Sequence, residues 1–454
     1  MPISRVASSI NSESGSSMYT ATPEFGTAKL RIPSEVKALL PALQLSNPDT
    51  TRLEKLTNEE WTSLLTFCDL AQLTLPLAQL RMNGMPHWIR ERLRNNLADN
   101  ALRFERVKAT YQEAADALDS AGVEHVVIKG FAQAPDYVAD PRFRPQSDID
   151  IFCPPESIDA AYRALKAIGY RPSEVKMNYS HTDHRPTLAR PGNWKWTGNL
   201  YDPEMPPSIE LHFCLWNERL SRIRDPGTDS FWGRRTRREI EGLSFACLCG
   251  VDYLAYFALH ILRNLFKSDW IIRHVRELAF FLHAHANDEH FWETWKETHS
   301  PSLRSYAATA FYYAHAWFGC QLHPLAAHEI DRLPEKQQSW LRYFSGSAME
   351  TMFGENKDFL WLQLGMLSSR KEKLKIASRT FLPVLSVGSI NSIGVYNRNR
   401  RLPRPRGNPV WQYFDYLISR STEHIRADLV TLGRSLHWRL SDEFLAAKFR
   451  PGDI

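Results

Sequence analysis

Two aspartates, Asp148 and Asp150 in the run Ser147-Asp148-Ile149-Asp150-Ile151-Phe152, are the residues of this chain best placed to do chemistry. Their apolar neighbours make the run a buried strand. Along a strand residues i and i+2 share a face, so the two carboxylates project together and repel unless a cation lies between them. Mg²⁺ or Mn²⁺ suits such a pair, being a hard ion commonly held by one or two carboxylates together with substrate phosphates. The expected substrate is a metal-bound phosphate ester.

The elements that must position the pair lie on either side of it. Glu124 to Ile128 reads as a short buried strand running into Lys129-Gly130, and Phe131 to Tyr137 can start a helix. Glycine at that turn lets the backbone approach a ligand, with the following N–H groups aimed at an anion. Lys129, Arg142 and Arg144 add positive charge. Further on, Ser208 to Phe213 alternates so that Glu210 and His212 share a face. Beside the aspartate strand, Glu210 would complete a three-carboxylate set of the kind that serves in-line phosphoryl and nucleotidyl transfer. Glu210 is also a candidate proton acceptor, while His212 reads as a core histidine or a group behind a ligand.

A hydrophobic residue before Lys129-Gly130, then Tyr137, then Arg144-Pro145-x-Ser147-Asp148-Ile149-Asp150, then an acid-Leu-His strand: with this series the chain resembles the uncharacterised nucleotidyltransferases of the polymerase-β-like superfamily. The likeness extends more weakly to the Glu60–Leu65 helix and to His260–Leu282. It implies an α+β fold in which a small mixed sheet with helices is flanked by N- and C-terminal helical regions. It also implies an NTP substrate, Mg²⁺ (or Mn²⁺) on Asp148, Asp150 and Glu210, and Lys129, Gly130, Arg144 and Ser147 around the nucleotide. Three features depart from the superfamily pattern: Phe131 follows the glycine where Gly or Ser is usual, Lys129 precedes it, and the third acid is Glu.

The chain has 454 residues, enough for two or three domains, and an ordinary 43% of hydrophobic residues. We expect a disordered tail over 1–30, a helical region over 31–121 and the catalytic core over 122–220. An insert at 170–208, rich in turns, carries His181, His184, Trp194 and Trp196 and reads as a hairpin or lid. A helical domain is expected over 221–365, with Arg263, Lys267, Arg273 and Arg276 largely on exposed faces, from which some could reach a triphosphate or acceptor, and a basic segment with a terminal helix over 366–454. The Ser/Thr-rich start lacks the order of a secretory leader. The six cysteines follow no zinc or redox spacing, and no apolar run is long enough to span a bilayer. Together these suggest a cytoplasmic protein.

The net charge of +5 is concentrated in Arg370–Arg406, which reads either as a basic linker or as a contact for RNA or an anionic surface. Three functions fit. The first is transfer of a nucleoside monophosphate from an NTP to a hydroxyl or phosphate of a small molecule, sugar or protein, releasing pyrophosphate. The second is RNA 3′-end nucleotidyl transfer, although no RNA-binding module is recognisable. The third is a nucleotide-binding or interaction module without turnover.

Overall fold

A computed structural model of the chain describes residues 26–172, 183–221, 223–269, 271–382 and 409–441. The first 25 residues, His181 and residues 383–406 of the basic stretch Arg370–Arg406 lie outside these ranges. The architecture is α+β: a seven-stranded mixed sheet among many helices. Its strands are β1 (Val126–Val127), β2 (Asp148–Phe152), β3 (Arg171–Pro172), β4 (Leu188–Ala189), β5 (Ser208–His212), β6 (Thr236–Ile240) and β7 (Leu243–Cys247), in the order β3-β4-β5-β2-β1-β7-β6.

The centre of the sheet is set by burial. In β2 every residue after Asp148 is buried, and Val126 and Val127 of β1 are fully buried, so this pair can lie only in the interior. β1 runs antiparallel to β2, and β5 runs parallel to it. β6 and β7 carry the sheet beyond residue 220. They turn through Glu241 and Gly242, both at positive φ, a two-residue loop whose twist matches that of the strands it joins.

Phe131 explains its own departure from the superfamily pattern. Its ring is buried against Tyr111 and Phe245, with centroids 5.1 and 5.0 Å away, so the residue after Gly130 anchors the turn in the core. The backbone there makes a single 3₁₀ turn, Gly130–Gln133, and the chain is extended again at Ala134.

Two N-terminal helices precede the sheet, and the second bears on the loop before β2. Asn58–Ala71 starts with a capping box: Thr57 Oγ1 accepts from Glu60 N at 3.2 Å, and the Glu60 carboxylate accepts from Thr57 N at 2.8 Å. His87–Ser120 turns Asn100 and Arg103 toward the loop. Asn100 Nδ2 donates to the carbonyls of Arg142 and Arg144 at 2.6 and 3.2 Å, and the buried Arg103 donates to those of Gln146 (2.9 Å) and Met205 (2.5 Å). These bonds satisfy carbonyls that no strand reaches and fix where β2 begins.

The buried helix Gly250–Phe266 packs against Ile272–Ala284 and Pro301–Phe318. The last helix, Pro409–Leu440, is bound to the body by Arg434. Its guanidinium donates to both carboxylate oxygens of Glu350 (2.6 and 2.7 Å) and to Asp358 (2.9 Å), and both acids are buried. Removing the cation would strand two charges away from water. Arg434→Met is expected to lower stability by about 3 kcal/mol in urea denaturation followed by tryptophan fluorescence; an unchanged midpoint would show that this helix is not bound through Arg434.

Candidate functional site

The parallel register of β2 and β5 pairs Asp148 with Ser208, Asp150 with Glu210 and Phe152 with His212. Because side chains alternate on both strands, Asp148, Asp150, Glu210 and His212 emerge on one face. Asp150, Glu210 and His212 each offer a ligating atom, and these atoms lie within 4.8 Å of one another. Asp148 stands one step back along β2, half-buried, with Ser147 Oγ 3.5 Å from its Oδ1.

Asp150 is the most heavily engaged of the acids. Lys129 Nζ donates to its Oδ1 at 2.6 Å, and His212 Nε2 lies 2.8 Å from the same oxygen. Burial opposes the charge of Asp150, but Lys129 and His212 hold its carboxyl well below the usual carboxylate range. Burial likewise opposes the charge of Lys129, and Asp150 reverses the effect and keeps the amine protonated. Asp148 shows the opposite balance. Burial and the nearby charges of Asp150 and Glu210 push its carboxyl up to about 6.

Glu210 accepts from Thr187 Oγ1 at 3.0 Å and has His184 Nε2 at 3.8 Å, so the segment 183–189 closes one edge of the face. Asp183 is ion-paired with the buried Arg263 and lies 3.9 Å from His212 Nδ1. Burial opposes the charge on Asp183, and Arg263 holds its carboxyl well below the ordinary range.

On the opposite edge, Glu277 organises the cations. It accepts from Arg144 Nε (3.0 Å) and Gln133 Nε2 (3.2 Å), and Arg273 Nη1 lies 3.5 Å away. Burial and neighbouring Arg144 lower Arg273 to about 10, against the pull of Glu277, Asp148 and Asp150. Gly130 sits at φ +72°, and a Cβ at this position would lie 2.2 Å from Gln146 Nε2, which donates to the carbonyl of Asp148 at 2.7 Å. Glycine is therefore required at this turn both for its backbone angle and for space.

The structure thus gathers Lys129, Asp148, Asp150 and Glu210 on one face, with Ser147 at its rim, Arg144 on Glu277 and Gly130 at the turn below. It corrects the expectation of exposed arginines. Arg263 is buried and paired with Asp183, and Arg273 and Arg276 are half-buried, Arg273 beside Glu277, whereas Lys267 is exposed. Arg142 is turned away from the acids, onto Asp140 and Glu241. The direct contact of His212 with Asp150, and the parts of Asp183, Thr187 and Glu277, escape sequence reasoning. Only the Glu210/His212 alternation signalled any of them. A separate groove of about 560 Å³ between the insert and the helix His87–Ser120 is lined by Trp88, Glu91, Asn95, Asp99 and Asn199, among others.

With this geometry in hand, the comparison with known proteins is specific. Residues 57–319, more than half of the chain, match the family described as uncharacterised nucleotidyltransferase, and the protein belongs to that family. No curated protein and no solved structure matches the chain. Among the described residues no helix is long and apolar enough to cross a membrane.

A carboxyl raised in the folded protein costs stability above its folded pKa, and the cost fades as pH falls toward its unfolded value. For Asp148 that window runs from about 6 down to about 4. Asp148→Asn is therefore expected to stabilise the metal-free protein by about 1 kcal/mol at neutral pH, with a smaller gain near pH 5. Thermal unfolding at the two pH values checks it; an equal gain at both would remove the strained carboxylate from the account.

Proposed function

We propose that the protein is a metal-dependent nucleotidyltransferase that moves a nucleoside monophosphate from an NTP to a hydroxyl or phosphate acceptor and releases pyrophosphate. The observation that carries this reading is the β2–β5 register, which sets Glu210 opposite Asp150 with Asp148 on the same face. The donor set fits a hard divalent cation. It is oxygen-rich, partly buried and charged, and the raised Asp148 carboxyl marks negative charge in excess of what Lys129 offsets. Asp148, Asp150 and Glu210 would hold Mg²⁺ or Mn²⁺, which supplies charge neutralisation at the reacting phosphate when bound.

The chain's own groups do the rest. Lys129 fixes Asp150 and brings a permanent positive charge to the strand end. Gly130 and Ser147 bound the space at the turn. Arg144, braced by Glu277, and Arg273 beside it present guanidinium groups for the triphosphate oxygens, where a planar fork matches phosphate geometry. Glu210, held by Thr187, is the carboxylate set to take the acceptor proton. Such a site accelerates transfer chiefly by orienting the reactants and stabilising charge that is already in place.

Incubation of the purified protein with each α-labelled NTP, Mg²⁺ or Mn²⁺ and a fractionated lysate as acceptor pool tests the reading. Label should pass to an acceptor with the wild type and fall at least 100-fold with Asp150→Asn, the usual scale for loss of a group that acts on the reacting centre. Metal-dependent NTP binding without transfer would instead favour the nucleotide-binding module, a reading that the double engagement of Asp150 by Lys129 and His212 also fits. In a second assay, Arg273→Ala is expected to raise KM for the NTP about 10-fold with a smaller change in kcat, the result of losing one phosphate contact. A loss confined to kcat would place Arg273 elsewhere in the reaction.

A further inference from the structure

The C-terminal helix Pro409–Leu440 has two unlike faces. Toward the body it buries Ala427, Thr431, Ser435 and Trp438, with Trp438 Nε1 donating to Ser339 Oγ at 3.0 Å and Lys357 N to Thr431 Oγ1 at 2.8 Å. The outer face carries Ile418, Ile425, Leu429, Leu432, Leu436 and Leu440, each between 44 and 75% exposed. Among the described residues only twelve large hydrophobics are exposed, and this one helix bears six of them. Single exposed leucines need no explanation, but a contiguous stripe of them does.

The spacing of the stripe says what kind of surface would cover it. Ile425, Leu429, Leu432 and Leu436 follow one another by four, three and four residues, and Ile418 precedes Ile425 by seven with Thr422 between them. That is the 3.5-residue repeat of a helix–helix seam. Exposed Ser421, Arg426, Gly433 and His437 flank it closely. A strict stripe of this kind is narrower than the apolar face that a helix lays into a protein core.

We infer that this stripe is a dimer seam, covered in solution by the same stripe of a second copy of the chain. The area agrees: the six side chains leave on the order of 700 Å² exposed, so two copies would remove roughly 1,400 Å² from water, within the range of specific interfaces. Charge agrees as well. Among the described residues no exposed carboxylate lies beside the stripe, and the exposed Arg426 and Arg439 stand at its margins, Arg439 over the Trp361 ring at 5.5 Å. A two-fold axis near Leu429 brings the Ile418 end of one helix onto the Leu440 end of the other and keeps each arginine off its equivalent. Such a contact is self-complementary and closes at two copies. Small Ser421 and Gly433 beside the seam permit close approach.

The test uses the full-length protein in sedimentation equilibrium from sub-micromolar to tens of micromolar. The wild type should reach twice the 52.4 kDa chain mass, and Leu429→Glu with Leu436→Glu should return it to one. Both substitutions lie on the exposed face, so circular dichroism and the melting temperature of the monomeric variant should remain those of a folded chain. A monomer at every concentration would overturn the inference, as would a dimer indifferent to the substitutions. Stripe-dependent sedimentation of a monomeric wild type with anionic phospholipid vesicles would overturn it in favour of a lipid surface. A monomeric wild type in which Leu429→Cys resists thiol labelling would do so in favour of a cover from the chain's own remaining residues.

Discussion

The arrangement depends on one crowded carboxylate. Asp150 is buried, shares a face with Asp148 and stands opposite Glu210, an arrangement that three negative charges would not tolerate unaided. Lys129 and His212 make it tolerable by meeting the same oxygen of Asp150. Lys129 can do so because β1 runs antiparallel to β2 and ends at the level of Asp150, whose carbonyl accepts from Ile128 N at 3.1 Å. The short strand, the turn at Gly130 and the buried Phe131 therefore act together to deliver one ammonium group to one carboxylate.

Around this centre the chain divides its charges by element. The insert contributes Asp183, His184 and Thr187 along one edge, and the helices Gly250–Phe266 and Ile272–Ala284 contribute Arg263, Arg273 and Glu277. Asp150, Glu277 and Asp183 are paired with Lys129, Arg144 and Arg263. Asp148 and Glu210 have no lysine or arginine so close, and the main influences on Asp148 are burial and two other carboxylates. The cation site we propose lies where the protein's own compensation runs out, beside Asp148 at the start of β2.

Much of the centre was legible in the sequence because it rests on short-range rules. The Asp-x-Asp alternation, the acid-Leu-His strand and the glycine turn all follow from periodicity and turn chemistry. The exposure of the arginines did not follow. Arg263 and Arg273 lie on helices whose pattern resembles a solvated face, and only the partner acids Asp183 and Glu277, 80 residues before one and four after the other, make their burial affordable.

The sequence by itself determined which residues share a strand face, where the chain turns and which family it belongs to, since these depend on neighbours within a few positions. Tertiary structure alone decided that Asp150 and Glu210 stand side by side in a parallel register, that Lys129 and His212 meet at one oxygen, and that Glu277 holds Arg144. The physical reason is that strand register and ion pairing between distant segments are set by how the sheet and its helices pack, and no local pattern encodes that packing.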